Sequence, residues 1–234
     1  MSSTIKVNNI QNLAGDDSGI DLSTNDQIIL KTANTTAITV NSSQNTSLAG
    51  DLSVTGAISG TDMELSHTST VSSNVGQVQI DGHFTSAFKN YKVIGSNVHL
   101  DTDDVNLNLK FMSGGSLITG SVHRSGMMRV LNDSTIVGHV AESTDTEFAF
   151  ALGNKVGSAT GEHTNFELML YDPLATDNFK HFRAMTTNND SSNRVRNILV
   201  SGFYNSGQSA LSGIEIVPAS GNIASGVFKL YGLR

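Results

Sequence analysis

The aromatic residues of this chain are confined to one part of it. All ten Phe and four Tyr lie between Phe84 and Tyr231, and the first 83 of 234 residues contain none. Large rings supply much of the area with which a domain closes its core, so the two stretches face different folding problems. Over residues 1–75, Ser, Thr and Asn fill 32 positions, and two lysines stand against seven carboxylates, a net charge of −5. The apolar side chains there are small to medium and thinly spread. Ordering a residue costs roughly 1–2 kcal/mol of backbone entropy. Burying one such side chain contributes roughly 1.5–3 kcal/mol, which is too little for so few of them to fold the segment alone. Either the segment is a flexible linker, or it buries its apolar stripe against other copies of itself.

The pattern favours assembly. Ile5 and Val7 alternate with polar neighbours, as do Ile38 and Val40 and then Leu52 and Val54, before Gly56 and Ile58. Period-two alternation in short pieces, punctuated by Gly, Asn and Ser, reads as short strands and turns. LAGDDSGIDLS at 13–23 is echoed by LAGDLSVTGAIS at 48–59, a weak internal repeat of the kind that stacked β architectures show. The expectation is a thin, intertwined, trimeric β-stalk over residues 25–75, with Ile38, Val40, Leu52, Val54 and Ile58 on its axis. Residues 1–24 precede it.

From residue 76 the chain becomes a series of short β-rich runs, about ten residues apart, with Gly, Asn, Asp and Ser between them. Val105, Leu107, Leu109 and Phe111 share one face, as do Phe148 and Phe150. Phe166, Leu168 and Leu170 do the same, and so do Phe228, Leu230 and Gly232. Many short alternating strands predict an all-β fold, with residues 76–234 an antiparallel, jelly-roll-like β-sandwich head. FTSAFKN at 84–90 is predicted to form one helical turn.

Composition excludes several chemistries. Without cysteine there is no disulfide, thiol nucleophile or Cys-based zinc site. No apolar run approaches the length of a membrane span, and the opening residues lack the apolar core of a secretory signal. A net charge of −7 without a Lys/Arg cluster argues against nucleic acid. The seven histidines have no metal-motif spacing. His67 and His83 are the candidates for a ligand repeated about a trimer axis. DTDD at 101–104 lacks the glycine and distal acid of a calcium loop, so it reads as an acidic turn. No Gly-x-Ser-x-Gly elbow occurs, and GNKVGSATG lacks the Lys-Ser/Thr ending of a phosphate loop. Glu147, Glu162, Glu167 and Asp172 carry no spacing that marks a glycosidase pair. No catalytic residue, metal site or cofactor is expected. Tyr91, Tyr171 and Tyr204 are the candidate glycan contacts.

Four stretches carry a family likeness. STIKVNNIQNLAG at the start, SLAGDLSVTGAISG at 47–60, FELMLYDPLATDNFKHF at 166–182 and SGIEIVPASGNIASGVFKLYGLR at 212–234 resemble bacteriophage tail-fibre and related virion proteins, especially those of marine phages. The resemblance implies a non-enzymatic homotrimer on the virion exterior, held to other virion proteins by its N-terminus, with Ile5, Val7, Ile10 and Leu13 as the docking residues. It implies a head that binds a host-surface glycan. A capsid decoration or head fibre is the alternative. A stand-alone lectin-like module and a polysaccharide depolymerase are further readings.

Overall fold

Side chains that alternate apolar and polar favour strands, and every regular element among the described residues is a β-strand. The structure, a computed structural model, describes residues 62–120, 123–132, 136–145, 147–204 and 208–234, with the backbone of three further strands between residues 28 and 48. The chain divides into two units, Met1–Ile58 and Ser59–Arg234. In the first, β1 (Ile28–Thr32), β2 (Thr35–Val40) and β3 (Thr46–Leu48) pair antiparallel in that order.

Among its described residues the second unit holds thirteen strands. They are β4 (Met63–Val71), β5 (Val78–Asp81), β6 (Asn90–Leu100), β7 (Val105–Ser113), β8 (Ser116–Leu117), β9 (His123–Leu131), β10 (Ile136–Asp145), β11 (Phe148–Val156), β12 (Thr164–Tyr171), β13 (Lys180–Asn189), β14 (Val195–Tyr204), β15 (Gly213–Pro218) and β16 (Ile223–Leu233). The larger sheet runs β10-β9-β14-β13-β12-β6-β16-β4. The smaller runs β11-β7-β15-β5, with β8 added to β7. All neighbours are antiparallel. The order β4-β16-β6-β12 in one sheet is matched by β5-β15-β7-β11 in the other. Each matched pair is consecutive in the chain, so the chain crosses between sheets at every pair. Strands β9, β10, β13 and β14 extend the larger sheet beyond β12.

The two sheets pack as a sandwich. Phe148 of β11 meets Phe182 of β13 at a ring-centroid distance of 4.4 Å, and Phe111 of β7 meets the same ring at 6.1 Å. Tyr91, Val93, Leu107, Leu109, Leu168, Ile214, Phe228 and Leu230 are fully buried in the same core.

Two expectations need correcting. β4 lies inside the segment assigned to a stalk, yet it pairs with β16 from Met63 opposite Leu233 to Val71 opposite Gly226. The sandwich unit therefore begins at Ser59 rather than at 76. Its polar sequence, MELSHTSTV, suits an edge strand in which only Val71 is buried. The segment 84–90 forms a turn, not a helix: Phe88 N donates to Thr85 O at 3.3 Å.

Gly95 sets the spacing of the core. It stands opposite Phe166 of β12 on one side and Phe228 of β16 on the other, whose ring centroids are 6.2 Å apart. A Cβ at Gly95 would lie 2.2 Å from the Phe166 ring. Gly202 faces Phe182 in the same manner, with 2.5 Å available.

A polar network crosses the sandwich beside this core. Asp190, in the turn between β13 and β14, is buried. It accepts from the backbone N–H groups of Ser192 and Arg194 and from the guanidinium groups of Arg194 and Arg196. Arg196 also donates to Asn154 Oδ1 at 2.9 Å, and Asn188 Nδ2 donates to the Asn154 carbonyl at 3.2 Å. Burial pushes the Asp190 carboxyl up, but the hydrogen bonds outweigh burial and hold it well below the usual carboxylate range.

Two outcomes follow. Gly95→Ala costs about 1–3 kcal/mol by overpacking. Gly138→Ala, whose Cβ meets nothing within 4 Å, is neutral within about 0.5 kcal/mol; urea midpoints check both. Because the Asp190 pKa is depressed on folding, its stabilisation is complete above the unfolded carboxylate value of about 3.9 and is lost as pH falls below it. Acid titration of Asp190→Asn should therefore show a shallower loss of stability below about pH 4 than the parent shows.

Candidate functional site

The outer face of the larger sheet gathers charged, aromatic and sulfur-bearing side chains. Across β12, β13, β14 and β9 the register runs without a bulge, so outward side chains fall into straight rows. Tyr171, His181, Phe203 and Arg124 form the first row. Met169, Arg183, Ser201 and Gly126 form the second, and Glu167, Met185, Leu199 and Met128 the third. Alternation points these residues outward, because their neighbours Phe182, Ala184, Ile198, Val200 and Met127 are buried in the core.

The second row creates a hollow. Ser201 and Gly126 are small, and they lie between the larger side chains of rows one and three. The result is an open cavity of about 550 Å³ lined by Arg124, Ser125, Gly126, Tyr171, His181, Arg183, Ser201 and Phe203, among others. Phe203 is stacked between Phe179, at 5.9 Å and 22°, and His181, at 5.3 Å and 28°. A second hollow of about 730 Å³ continues over row three, lined by Ile94, Met128, Val130, Arg183, Met185 and Leu199 among others. Arg183 borders both. Among the described residues Arg183 has no ion-pair or hydrogen-bond partner, and Tyr171 has neither a hydrogen-bond nor a ring partner. Two carboxylates next to these rows are paired: Glu167 with Lys92 at 2.8 Å, and Asp172 with Lys89.

The tyrosines separate. Tyr171 is 39 % exposed and stands in the first row. Tyr91 is fully buried, and its hydroxyl donates to Thr85 O at 2.9 Å while accepting from Thr85 N. Tyr204 lies in the core with its ring 5.9 Å from that of His123. Tyr91 and Tyr204 thus hold the fold and offer no ring to a ligand, which corrects their nomination as glycan contacts. Their strands place them at inward positions, so the alternation that fills the core decides against them.

Of the stalk positions, Ile38 and Val40 lie in β2, Ile38 paired with Leu30 and Leu48, and Val40 with Ile28 and Thr46. Ile5, Val7, Ile10, Leu13, Leu52, Val54 and Ile58 lie outside the described residues.

His67 and His83 come together, 16 residues apart in the chain, with ring centroids 3.9 Å apart and 24° between planes. Burial, and then the charge of His83, push the His67 pKa down. Among the described residues no group of three His, Asp or Glu side chains is arranged to hold a metal ion. The acidic turn is structural. Asp101 accepts from Asn222 N and Nδ2, both at 2.7 Å, and from Asn74 Nδ2 at 2.9 Å. Those bonds, led by the Asn222 N–H, hold its carboxyl below the usual range. Asp103 accepts from Ser158 N, and Asp104 pairs with Lys155.

Sequence reasoning missed Arg124, His181, Arg183 and Phe203, because these residues of β9, β13 and β14 meet only through sheet register. The one available signal was alternation in HFRAMTT at 181–187, which marks His181, Arg183 and Met185 as outward. Compared with known proteins, the chain matches no family model, no curated protein and no solved structure.

Tyr91→Phe should lower stability by about 1 kcal/mol through its lost hydrogen bonds. Tyr171→Phe should stay within about 0.5 kcal/mol of the parent. Denaturant unfolding of the two variants side by side checks the assignment.

Proposed function

We propose that this chain is a homotrimeric, non-enzymatic fibre on the exterior of a bacteriophage virion, and that its sandwich unit binds the host surface. The observation that carries the reading is the row Tyr171, His181, Phe203 and Arg124. Four large, chemically mixed side chains stand together on the outer face of the larger sheet, beside an open hollow. A cleft for chemistry would instead bring titratable groups into a shared, shielded site.

Other features support the same reading. We read the paired winding of β4-β16-β6-β12 against β5-β15-β7-β11 as that of a jelly roll, with two inserted hairpins that widen one sheet and, in this reading, serve as its display surface. In this reading residues 25–58 form the stalk of three copies, and Ile5, Val7, Ile10 and Leu13 dock on the virion. The shortage of apolar area before residue 59 then becomes a requirement for company, met by closed threefold symmetry.

Light scattering of the full chain at micromolar concentration should give the mass of a trimer. The purified protein should compete with virions for attachment to host cells. A monomeric mass sinks the trimer, and undiminished attachment at saturating protein sinks the host-binding role.

A further inference from the structure

We infer that the hollow between Arg124, Tyr171, Arg183 and Phe203 takes a saccharide bearing an anionic group, a carboxylate or a sulfate. The inference deepens the binding role proposed above by naming its ligand class.

Charge is the first argument. The chain as a whole carries −7, yet the residues that line this hollow include Arg124 and Arg183 and, among the described residues, no Asp or Glu. A guanidinium only donates hydrogen bonds, and it presents them in a planar fork that suits two oxygens of one anion. Arg183 is exposed and has no partner among the described residues, so its fork is available. In the sheet it is the diagonal neighbour of Tyr171, roughly 7–8 Å away. Both lie on the outer face, within reach of one sugar ring.

Shape and surface are the second. The volume of about 550 Å³ suits one or two sugar rings. Ser201 places a hydroxyl group on the outer face among the lining residues, where it can both donate to and accept from sugar hydroxyls. The ring of Tyr171, which no other ring among the described residues covers, gives apolar surface for the C–H groups of a pyranose, which carry slight positive charge and pack on the electron-rich face of an aromatic ring.

Other anions fit less well. An extended acidic peptide binds a sheet through free backbone groups at an edge, whereas β13 and β14 are interior strands whose ladders are complete on both sides. A nucleic acid needs many phosphate contacts along a track, and the hollow has two arginines.

The test uses the full-length chain and calorimetry with four probes: trigalacturonic acid, 6-sulfated galactotriose, unsubstituted galactotriose and tetraglutamate. At least one acidic saccharide should bind about tenfold or more tightly than galactotriose and tetraglutamate, and more weakly as ionic strength rises. Arg183→Gln removes the fork. Gly126→Val fills the floor, because a Cβ there meets nothing within 4 Å and valine suits a strand. Each variant should weaken binding about tenfold or more while leaving the thermal midpoint unchanged. Equal binding of galactotriose or tetraglutamate overturns the inference. So does acidic-sugar binding that survives both variants, or no binding by any probe. If the acidic sugar binds as expected but does not compete with virion attachment, the site stands and the host-attachment reading falls. If the protein blocks attachment yet binds neither acidic sugar, the reverse holds.

Discussion

The bulge-free register of β12, β13, β14 and β9 is the constraint on which the rest depends. Because side chains alternate with a period of two, one ladder sets both faces at once. Inward, it places Phe182 over Gly202 and beside Phe148. Outward, it aligns Tyr171 with His181, Phe203 and Arg124. A slip of one residue in β13 would send His181 and Arg183 into the core and Phe182 into water, so the outer face is held by the same energy that holds the sandwich. Elsewhere in the larger sheet the pairs β10–β9, β12–β6, β16–β6 and β16–β4 all carry register shifts. Within that sheet the regular block is the one that displays the rows.

The polar interior has a related role. Asp190, Arg196, Asn154 and Asn188 bind the β13–β14 turn to β11 in the facing sheet. Buried polar groups of this kind tolerate few alternative partners, so they restrict how the inserted β13–β14 hairpin can sit. Lys180 does the same at the other end of β13. Its buried ammonium donates to the carbonyls of Ala175, Asn178 and Gln208, which fastens the loop carrying Phe179 to the segment entering β15. Both ends of the strand that bears His181 and Arg183 are therefore anchored without a disulfide.

Much of the fold was legible because burial and alternation coincide in it. Phe166, Leu168 and Leu170 face inward as their spacing implies, and so do Phe228 and Leu230. β7 departs from that rule. Asn108 sits on its polar face yet is buried, donating to Glu147 at 2.6 Å beside Lys110 and Glu215. Alternation tells which face a residue is on, not whether something covers that face. β4 was misplaced because an edge strand with one buried side chain has nearly the composition of a stalk. The site was the least legible part. Only Tyr171 of its first row was named, since Arg124 and Phe203 are 79 residues apart in the chain and meet through a ladder that no local pattern announces.

The hollow owes its depth to Gly126 and Ser201, two small residues on interior strands, rather than to loops. A pocket cut into a rigid sheet has a floor whose atoms do not move when its contents change. Its outline can be redrawn one position at a time, by enlarging or shrinking a residue in the second row, with the core beneath untouched. For a surface facing a partner that itself varies, this separates the part of the sequence free to drift from the part that must keep the protein folded.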